Sequence, residues 1–164
     1  MVNLHVVRAD ITTMRVDAIV NAASSRMRGG GGVDGAIHAA AGPGLLAECI
    51  ERFPDGLATG DAGWTTGHRL PARWVIHVVG PDRRAGQHDP ALLASCYTRA
   101  LRVADDVGAA SVAFPLVSAG IYAWPLDDAA DIAVASVRAA QTHVAEVTFA
   151  AFSSAVEQAL TARL

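Results

Sequence analysis

Apolar and polar positions along this chain fall into short blocks whose period switches between two and three-to-four. Residues 2–8 alternate weakly and predict a first strand, and Asp17-Ala18-Ile19-Val20-Asn21 is an apolar, β-branched run that predicts a buried one. Gly35 to Ala41 has helical spacing, with Asp34 where an N-cap belongs. Gly42-Pro43 ends that helix and starts another, Leu45 to Arg52, which carries Glu48 and Glu51 on its solvent side. Thr59 to His68 reads as a turn and short edge strand, and Trp74 to Val79 as a core strand closed by Gly80-Pro81. Asp82 to Asp89 predicts a surface loop, and Pro90 to Val107 a helix with Leu92, Leu93, Cys96, Leu101 and Ala104 for one face. Ser111 to Val117 predicts a buried strand, Pro125 opens a helix with Asp127 and Asp128 in its first turn, and Val144 to Phe152 is a last strand. Ser153 then caps a final helix, Ser154 to Leu164. Strands alternating with helices predict a layered α/β domain with helices on both faces of the sheet, in which ligands collect at the carboxyl ends of the strands.

Two loops interrupt this pattern in the same way. After the Asp17 strand come four consecutive glycines, Gly29 to Gly32, and then a helix; after the Ser111 strand comes Ser118-Ala119-Gly120-Ile121-Tyr122-Ala123-Trp124, and then a helix. Glycines permit positive φ and remove the Cβ atoms that would hold backbone away from a ligand, while a helix start aims free N–H groups and partial positive charge into the same space. Such a place suits phosphate. Two polar residues in apolar surroundings admit a local role. Asp10, at the end of the first strand, could either cap the following turn or accept from a ligand amine, with local sequence favouring the cap. His77, inside a core strand, is expected to be a packed, hydrogen-bonded residue.

Composition narrows the chemistry. The 164 residues fit a single domain that buries roughly 70% of its unfolded surface. Although 52% of residues are hydrophobic, no apolar run approaches a membrane-spanning length, and Met1 to His5 lacks the pattern of a secretory leader, so a cytoplasmic setting is expected. Cys49 and Cys96 are widely spaced and predict buried hydrophobes, neither a disulfide nor a metal site. Net charge is −3 with scattered arginines, which does not support nucleic acid as the main partner. All thirteen basic residues are arginine, so Walker-type phosphate loops, Schiff-base chemistry and kinase-type lysines have no residue to carry them.

The letters Gly30-x-Gly32-x-x-Gly35 match a dinucleotide fingerprint, but Ala22 to Gly29 separate them from their strand and no acidic residue follows at the end of a second strand. Ser118 fails as a hydrolase nucleophile elbow because Leu116 stands at the first glycine position, so it reads as a turn residue. A reading in which both loops are only tight turns is weak, since four adjacent glycines cost conformational entropy and add no packing.

Asp10-Ile11-Thr12, Asp17 to Ala23, Gly29 to His38 and Ser118 to Tyr122 together resemble the macrodomain family, closest to its MacroD-type branch. Thr59-Gly60, Leu70 to Pro81 and Phe114-Pro115 are similar too, so the likeness covers nearly the whole chain. The resemblance implies a three-layer α/β/α sandwich with a mixed central sheet, a monomer that binds ADP-ribose and acts on ADP-ribosylated proteins, with nucleic acid as a modified substrate left open and with no cofactor or metal. It casts Asp10 as the partner of the adenine amine, with Ile11 beside it and Phe152 as the aromatic on the adenine side. Ser118, Ala119, Gly120, Ile121 and Tyr122 would cradle the diphosphate, Asn21 and the backbone of Gly30, Gly31, Gly32 and Val33 would hold the distal ribose with Tyr122 closing over it, and Ala23 is implied among the ligand-binding residues. In MacroD-type members the residue matching Asp34 supports hydrolysis by orienting or deprotonating water; Asn21 and Ser24 are implied beside it. Removal of mono-ADP-ribose from acidic side chains is the activity this implies, with deacetylation of O-acetyl-ADP-ribose as a companion; a non-catalytic reader of ADP-ribose is the alternative. Three positions depart from the family pattern: Ser24 stands where Asn is usual, Ala123 where glycine follows the loop aromatic, and Ala9 where glycine precedes Asp10.

Overall fold

The computed structural model describes all of residues 1–164. Six strands form one sheet: β1 (Asn3–Arg8), β2 (Ala18–Ala23), β3 (Ala62–Thr66), β4 (Trp74–Val79), β5 (Ser111–Phe114) and β6 (Glu146–Ala151). Five helices connect them: α1 (Gly32–Ala41), α2 (Pro43–Arg52), α3 (Pro90–Val107), α4 (Leu126–Ala139) and α5 (Ser154–Thr161). The sheet order is β1-β6-β5-β2-β4-β3, with every neighbouring pair parallel except β3–β4 at the edge. The expected three-layer sandwich with a mixed sheet is therefore what forms. No helix is long and apolar enough to cross a membrane.

Side-chain alternation along the strands divides the core in two. Ala18 and Val20 of β2, Ile76 and Val78 of β4, and Phe114 and Phe149 face the layer of α3, α4 and α5. Ile19, Ala23, Val75 and Val79 face α1 and α2, together with Ile37, Leu45 and Cys49. Asn21 and His77 take the same phase as this second set and are fully buried, so two polar side chains sit in the apolar layer between sheet and α1–α2. Both cysteines are free and buried, as expected.

Most element bounds follow local signals. Helix α3 runs over Pro90–Val107 because the Asp89 side chain accepts from the Ala91 N–H at one end and Gly108 turns the chain with φ +76 at the other. Ser153 caps α5 through the Val156 N–H. Four expectations need correction. Strand β5 stops at Phe114, short of Val117, because Pro115 has no N–H to donate. Strand β6 spans Glu146–Ala151, since its length is set by the six residues of β1 that pair with it. Helix α1 opens at Gly32 with Gly31 as its N-cap, so Asp34 lies within the first turn and does not cap it. Glu48 is not on the solvent side: its carboxylate accepts from the Thr66 N–H (3.1 Å) and hydroxyl (2.8 Å) and from Arg52 Nε (2.6 Å), with His68 Nε2 at 2.8 Å. That node ties α2 to the edge strand.

The connection after β5 is anchored from beneath. The Val117 N–H donates to the phenol oxygen of the fully buried Tyr97 at 3.0 Å, and Trp124 Nε1 donates to the Pro81 carbonyl at 3.0 Å. Tyr97→Phe leaves the Val117 N–H buried without a partner, which costs about 1–3 kcal/mol. Urea denaturation should show a lower midpoint with an unchanged slope; an unchanged midpoint would show that another group takes over the N–H.

Candidate functional site

A cleft of about 870 Å³ opens at the carboxyl ends of β1, β6, β5 and β2. The Gly30–Asp34 loop forms one wall and Ser118 with Gly120–Tyr122 the other, while Asp10, Ile11 and Phe152 line the remaining end. The two loops meet across the opening: a Cβ placed on Gly31 or Gly32 would come within 3.5 or 3.6 Å of Ile121 Cδ1.

The glycine loop has its shape for reasons visible residue by residue. Gly29 and Gly32 take φ of +84° and +59°, a region that glycine enters without steric cost. Arg28 ties the start of the loop to the end of α2, donating through Nη1 to Phe53 O (3.0 Å) and through Nη2 to Pro54 O (3.2 Å). At the far side, a Cβ on Gly35 would lie 2.6 Å from the Gly30 carbonyl, so the loop folds back directly on the first turn of α1. No side chain caps α1, and the residues of its first turn, Gly32, Val33 and Asp34, line the cleft.

Asp34 projects from this first turn and is only 4% exposed, yet it lines the cleft. Its Oδ1 accepts from Asn21 Nδ2 at 2.8 Å, and His38 Nε2 lies 3.4 Å from the same oxygen. Burial raises the Asp34 carboxyl above its ordinary value, opposed in turn by the Asn21 amide, the His38 charge and the Ser24 backbone. An acid held in this way is a stronger base once ionised than a solvent-exposed one.

The second loop carries different features. Ser118 is buried with φ +66°, and its hydroxyl has no protein partner. Gly80 makes room for it, since a Cβ there would lie 2.3 Å from Ser118 Oγ. Ala123 takes φ +62°, a left-handed conformation that costs an alanine about 1–2 kcal/mol and explains why glycine is usual there. Burial, then the charge of Asp82, raises the Tyr122 phenol, so it stays protonated through the neutral range. The Arg83 N–H donates to the Tyr122 carbonyl at 3.0 Å, and the Arg84 guanidinium sits 5.6 Å from the Tyr122 ring centroid. Gly120 faces open space, with no atom within 4 Å of a Cβ built on it.

At the other end, Asp10 caps the turn that follows it, the role local sequence favours. Its Oδ1 accepts from the Thr12 N–H (3.0 Å) and hydroxyl (2.7 Å), while Oδ2 makes no bond within the protein. Phe152 is 71% exposed on the rim. Ser24 is on the cleft wall. Three residues named from the sequence are not: Asn21 lies behind Asp34, Ala23 points into the α1–α2 core while Ala22 takes the wall position, and Ala119 is turned away. Conversely, Arg8 lines the cleft and is the one cationic side chain there. Its place, two residues before Asp10 at a parallel strand's carboxyl end, was a signal the sequence carried.

Comparison with known proteins adds to this geometry. Residues 20–133 match the family described as Macro domain. The chain is 51% identical to a Macro domain-containing protein of Streptomyces coelicolor, over 100% of this chain and 99% of that protein. Among solved structures, it is similar to the Oceanobacillus iheyensis macrodomain with ADP at 37% identity and a TM-score of 0.88, covering 98% of this chain and 88% of that one. The Trypanosoma brucei macrodomain in complex with ADP-ribose is similar at 38% identity and a TM-score of 0.90, covering 98% of this chain and 68% of that one.

The state of Asp34 has a consequence for stability. Asp34→Asn keeps an oxygen for Asn21 and removes a desolvated charge. Because the folded-state pKa lies above the ordinary 3.8, ionisation costs the folded parent stability as pH rises from 3.8 through the folded value, and the deficit persists above it. The unfolding free energy of Asp34→Asn minus that of the parent should therefore be larger near pH 7 than at about pH 4, the variant gaining stability relative to the parent as pH rises. The opposite trend in urea titrations would mean that hydrogen bonding outweighs burial at this carboxyl.

Proposed function

The chain belongs to the Macro domain family, and from that premise we propose that it binds ADP-ribose in the cleft and hydrolyses its ester to acidic side chains of proteins, as a MacroD-type enzyme. The observation that carries the reading is the buried Asp34 carboxylate, held on the wall where two lysine-free backbone loops converge.

In this reading the adenine amine donates to the free Oδ2 of Asp10 and the base packs beside Phe152. The diphosphate takes backbone N–H groups of the Ser118–Tyr122 loop and the Ser118 hydroxyl, which is why no lysine is needed. The distal ribose lies along Gly30–Val33, under Tyr122 and Ile121. Water attacks the anomeric carbon, the bond from that carbon to the acyl oxygen breaks, the protein carboxylate leaves, and Asp34 accepts the water's proton. Desolvation and the Asn21 donor act on Asp34 in opposite senses, and the net upward shift makes its carboxylate a stronger base than an exposed one. O-acetyl-ADP-ribose is also a ribose ester, and there the water that Asp34 deprotonates attacks the acetyl carbonyl, the acyl C–O bond breaks and acetate leaves. A second reading, a non-catalytic reader, is favoured by Ser24, whose single hydroxyl replaces an amide on the wall and leaves the ribose less constrained.

Two experiments check this. On a protein carrying mono-ADP-ribose on glutamate, Asp34→Ala should lower the release rate by about 10²–10⁴-fold while calorimetric affinity for ADP-ribose changes little. Equal rates would remove Asp34 from the chemistry, and tight binding with no turnover by the parent would favour the reader. Separately, Gly120→Glu adds a side chain that meets open space in the free protein but faces the diphosphate in the complex. It should leave thermal stability unchanged and weaken ADP-ribose binding by roughly a hundredfold, about 2.7 kcal/mol; retained affinity would place the diphosphate elsewhere.

A further inference from the structure

Behind the cleft wall lies a chain of buried polar groups that the proposed reaction does not itself touch. Asn21 and His77 are Cα partners in the parallel β2–β4 ladder and both side chains point toward α1 and α2. The Asn21 amide nitrogen, already donating to Asp34 Oδ1 at 2.8 Å, lies 3.1 Å from His77 Nδ1. On the other side of the ring, His77 Nε2 is 3.0 Å from the hydroxyl of Thr65 on β3. Asn21, His77 and Thr65 are all fully buried.

The protons in this chain can be placed. Asp34 accepts, so the Asn21 NH₂ must face it, and its second N–H then points at His77 Nδ1. Nδ1 is therefore the bare nitrogen, and Nε2 carries the proton toward Thr65 Oγ1. The Asn21 carbonyl has no partner. Rotating the amide would set that carbonyl 2.8 Å from Asp34 Oδ1, acceptor against acceptor. The amide is thus held through its nitrogen from two sides while its carbonyl goes unpartnered.

We propose that His77 is a positioning residue for Asp34: its bare Nδ1, fixed by Thr65, locks the Asn21 amide with the NH₂ toward the carboxylate and so sets the basicity and aim of Asp34. With Nδ1 protonated, the imidazole would call for the Asn21 carbonyl, the amide would turn, and Asp34 would face an oxygen in place of a donor. The surroundings hold the ring in the required form. Burial drives its pKa down to about 3, reinforced by the His38 charge and opposed by Glu48. The Phe53 ring packs edge-on against it at 6.1 Å, admitted by Gly63, where a Cβ would come within 2.5 Å of Phe53. Cys49 Sγ lies 4.0 Å from Nε2 and is itself kept neutral, its pKa raised to about 11 by burial and by the charges of Asp34 and Glu48. Asp34 also has His38 Nε2 at 3.4 Å from its Oδ1, and its charge helps to raise the Tyr122 phenol. His38 is thus the one neighbour outside the relay that can place a positive charge beside Asp34.

This inference rests on Asp34 acting as the base, and the test separates the two. The Asp34 carboxyl is followed by ¹³C NMR against pH in the parent, His77→Phe and His77→Asn, alongside ADP-ribose affinity and release rates. Phenylalanine removes the acceptor, whereas the asparagine carbonyl occupies the place of Nδ1 and restores it. In His77→Phe the midpoint should rise by about one unit and kcat fall by about tenfold, with ligand affinity unchanged because neither Asn21 nor His77 lines the cleft; His77→Asn should return both toward the parent. Should His77→Phe fail to fold, the near-isosteric Thr65→Val takes its place, with a smaller shift of the same sign. An unmoved midpoint in the folded variant, or imidazole ¹⁵N spectra of the parent with Nδ1 protonated, overturns the relay. A shifted midpoint in a protein with no release activity would leave the relay standing and remove the hydrolase reading.

Discussion

A carboxylate taken out of water needs donors, and the site is arranged around meeting that need for Asp34. The side chain sits at the junction of sheet, glycine loop and helix α1, where burial alone would favour the neutral acid. The Asn21 amide at 2.8 Å, the Ser24 backbone and the nearby His38 pull in the other direction. The outcome is a carboxyl whose pKa is raised but not abandoned to desolvation. That balance depends on Asn21 keeping one orientation, which in turn depends on what lies behind it in the sheet.

Around that carboxyl, the cleft is built mostly from backbone. Two loops take left-handed conformations at Gly29, Gly32, Ser118 and Ala123, and two neighbouring glycines, Gly35 and Gly80, let backbone and hydroxyl approach where any Cβ would collide. Such a surface offers N–H donors at fixed positions without long flexible cations, so an anion is met by dipoles that need little rearrangement. The strain at Ala123 is borne because the loop is tied on both sides, by Tyr97 to the Val117 N–H and by Arg83 to the Tyr122 carbonyl. Arg28 does the same for the glycine loop by gripping carbonyls at the end of α2. Rigid anchoring outside the cleft and absence of side chains inside it are two parts of one solution.

Much of this was legible along the chain. Helix α3 and strand β4 are bounded by local signals, an Asx cap and αL glycine in one case and a β-branched run before Gly80-Pro81 in the other, and both form where expected. The two glycine-bearing loops could be read because their chemistry is local: positive φ and helix starts belong to short stretches of sequence. Errors fell where a residue's partner is remote. Asp34 has the letters of an N-cap, but Asn21 draws it inward and α1 begins at Gly32. Ala23 was placed in the site, yet strand alternation puts Ala22 on the wall.

By itself, then, the sequence determined the order of elements, the two backbone cradles and the lack of any lysine to serve them, since each follows from periodicity, glycine and proline stereochemistry, or composition. Only the tertiary structure decided what stands behind the carboxylate. Asn21, Thr65 and His77 come from three strands, and nothing in their neighbouring residues distinguishes them from satisfied core polar groups. They meet because β2 pairs with β4 in the one register that sets Asn21 opposite His77, and because β3 folds back antiparallel to bring Thr65 to the ring's far nitrogen. Register is a property of the whole sheet, fixed by which faces must be buried, and no local stretch of chain contains it.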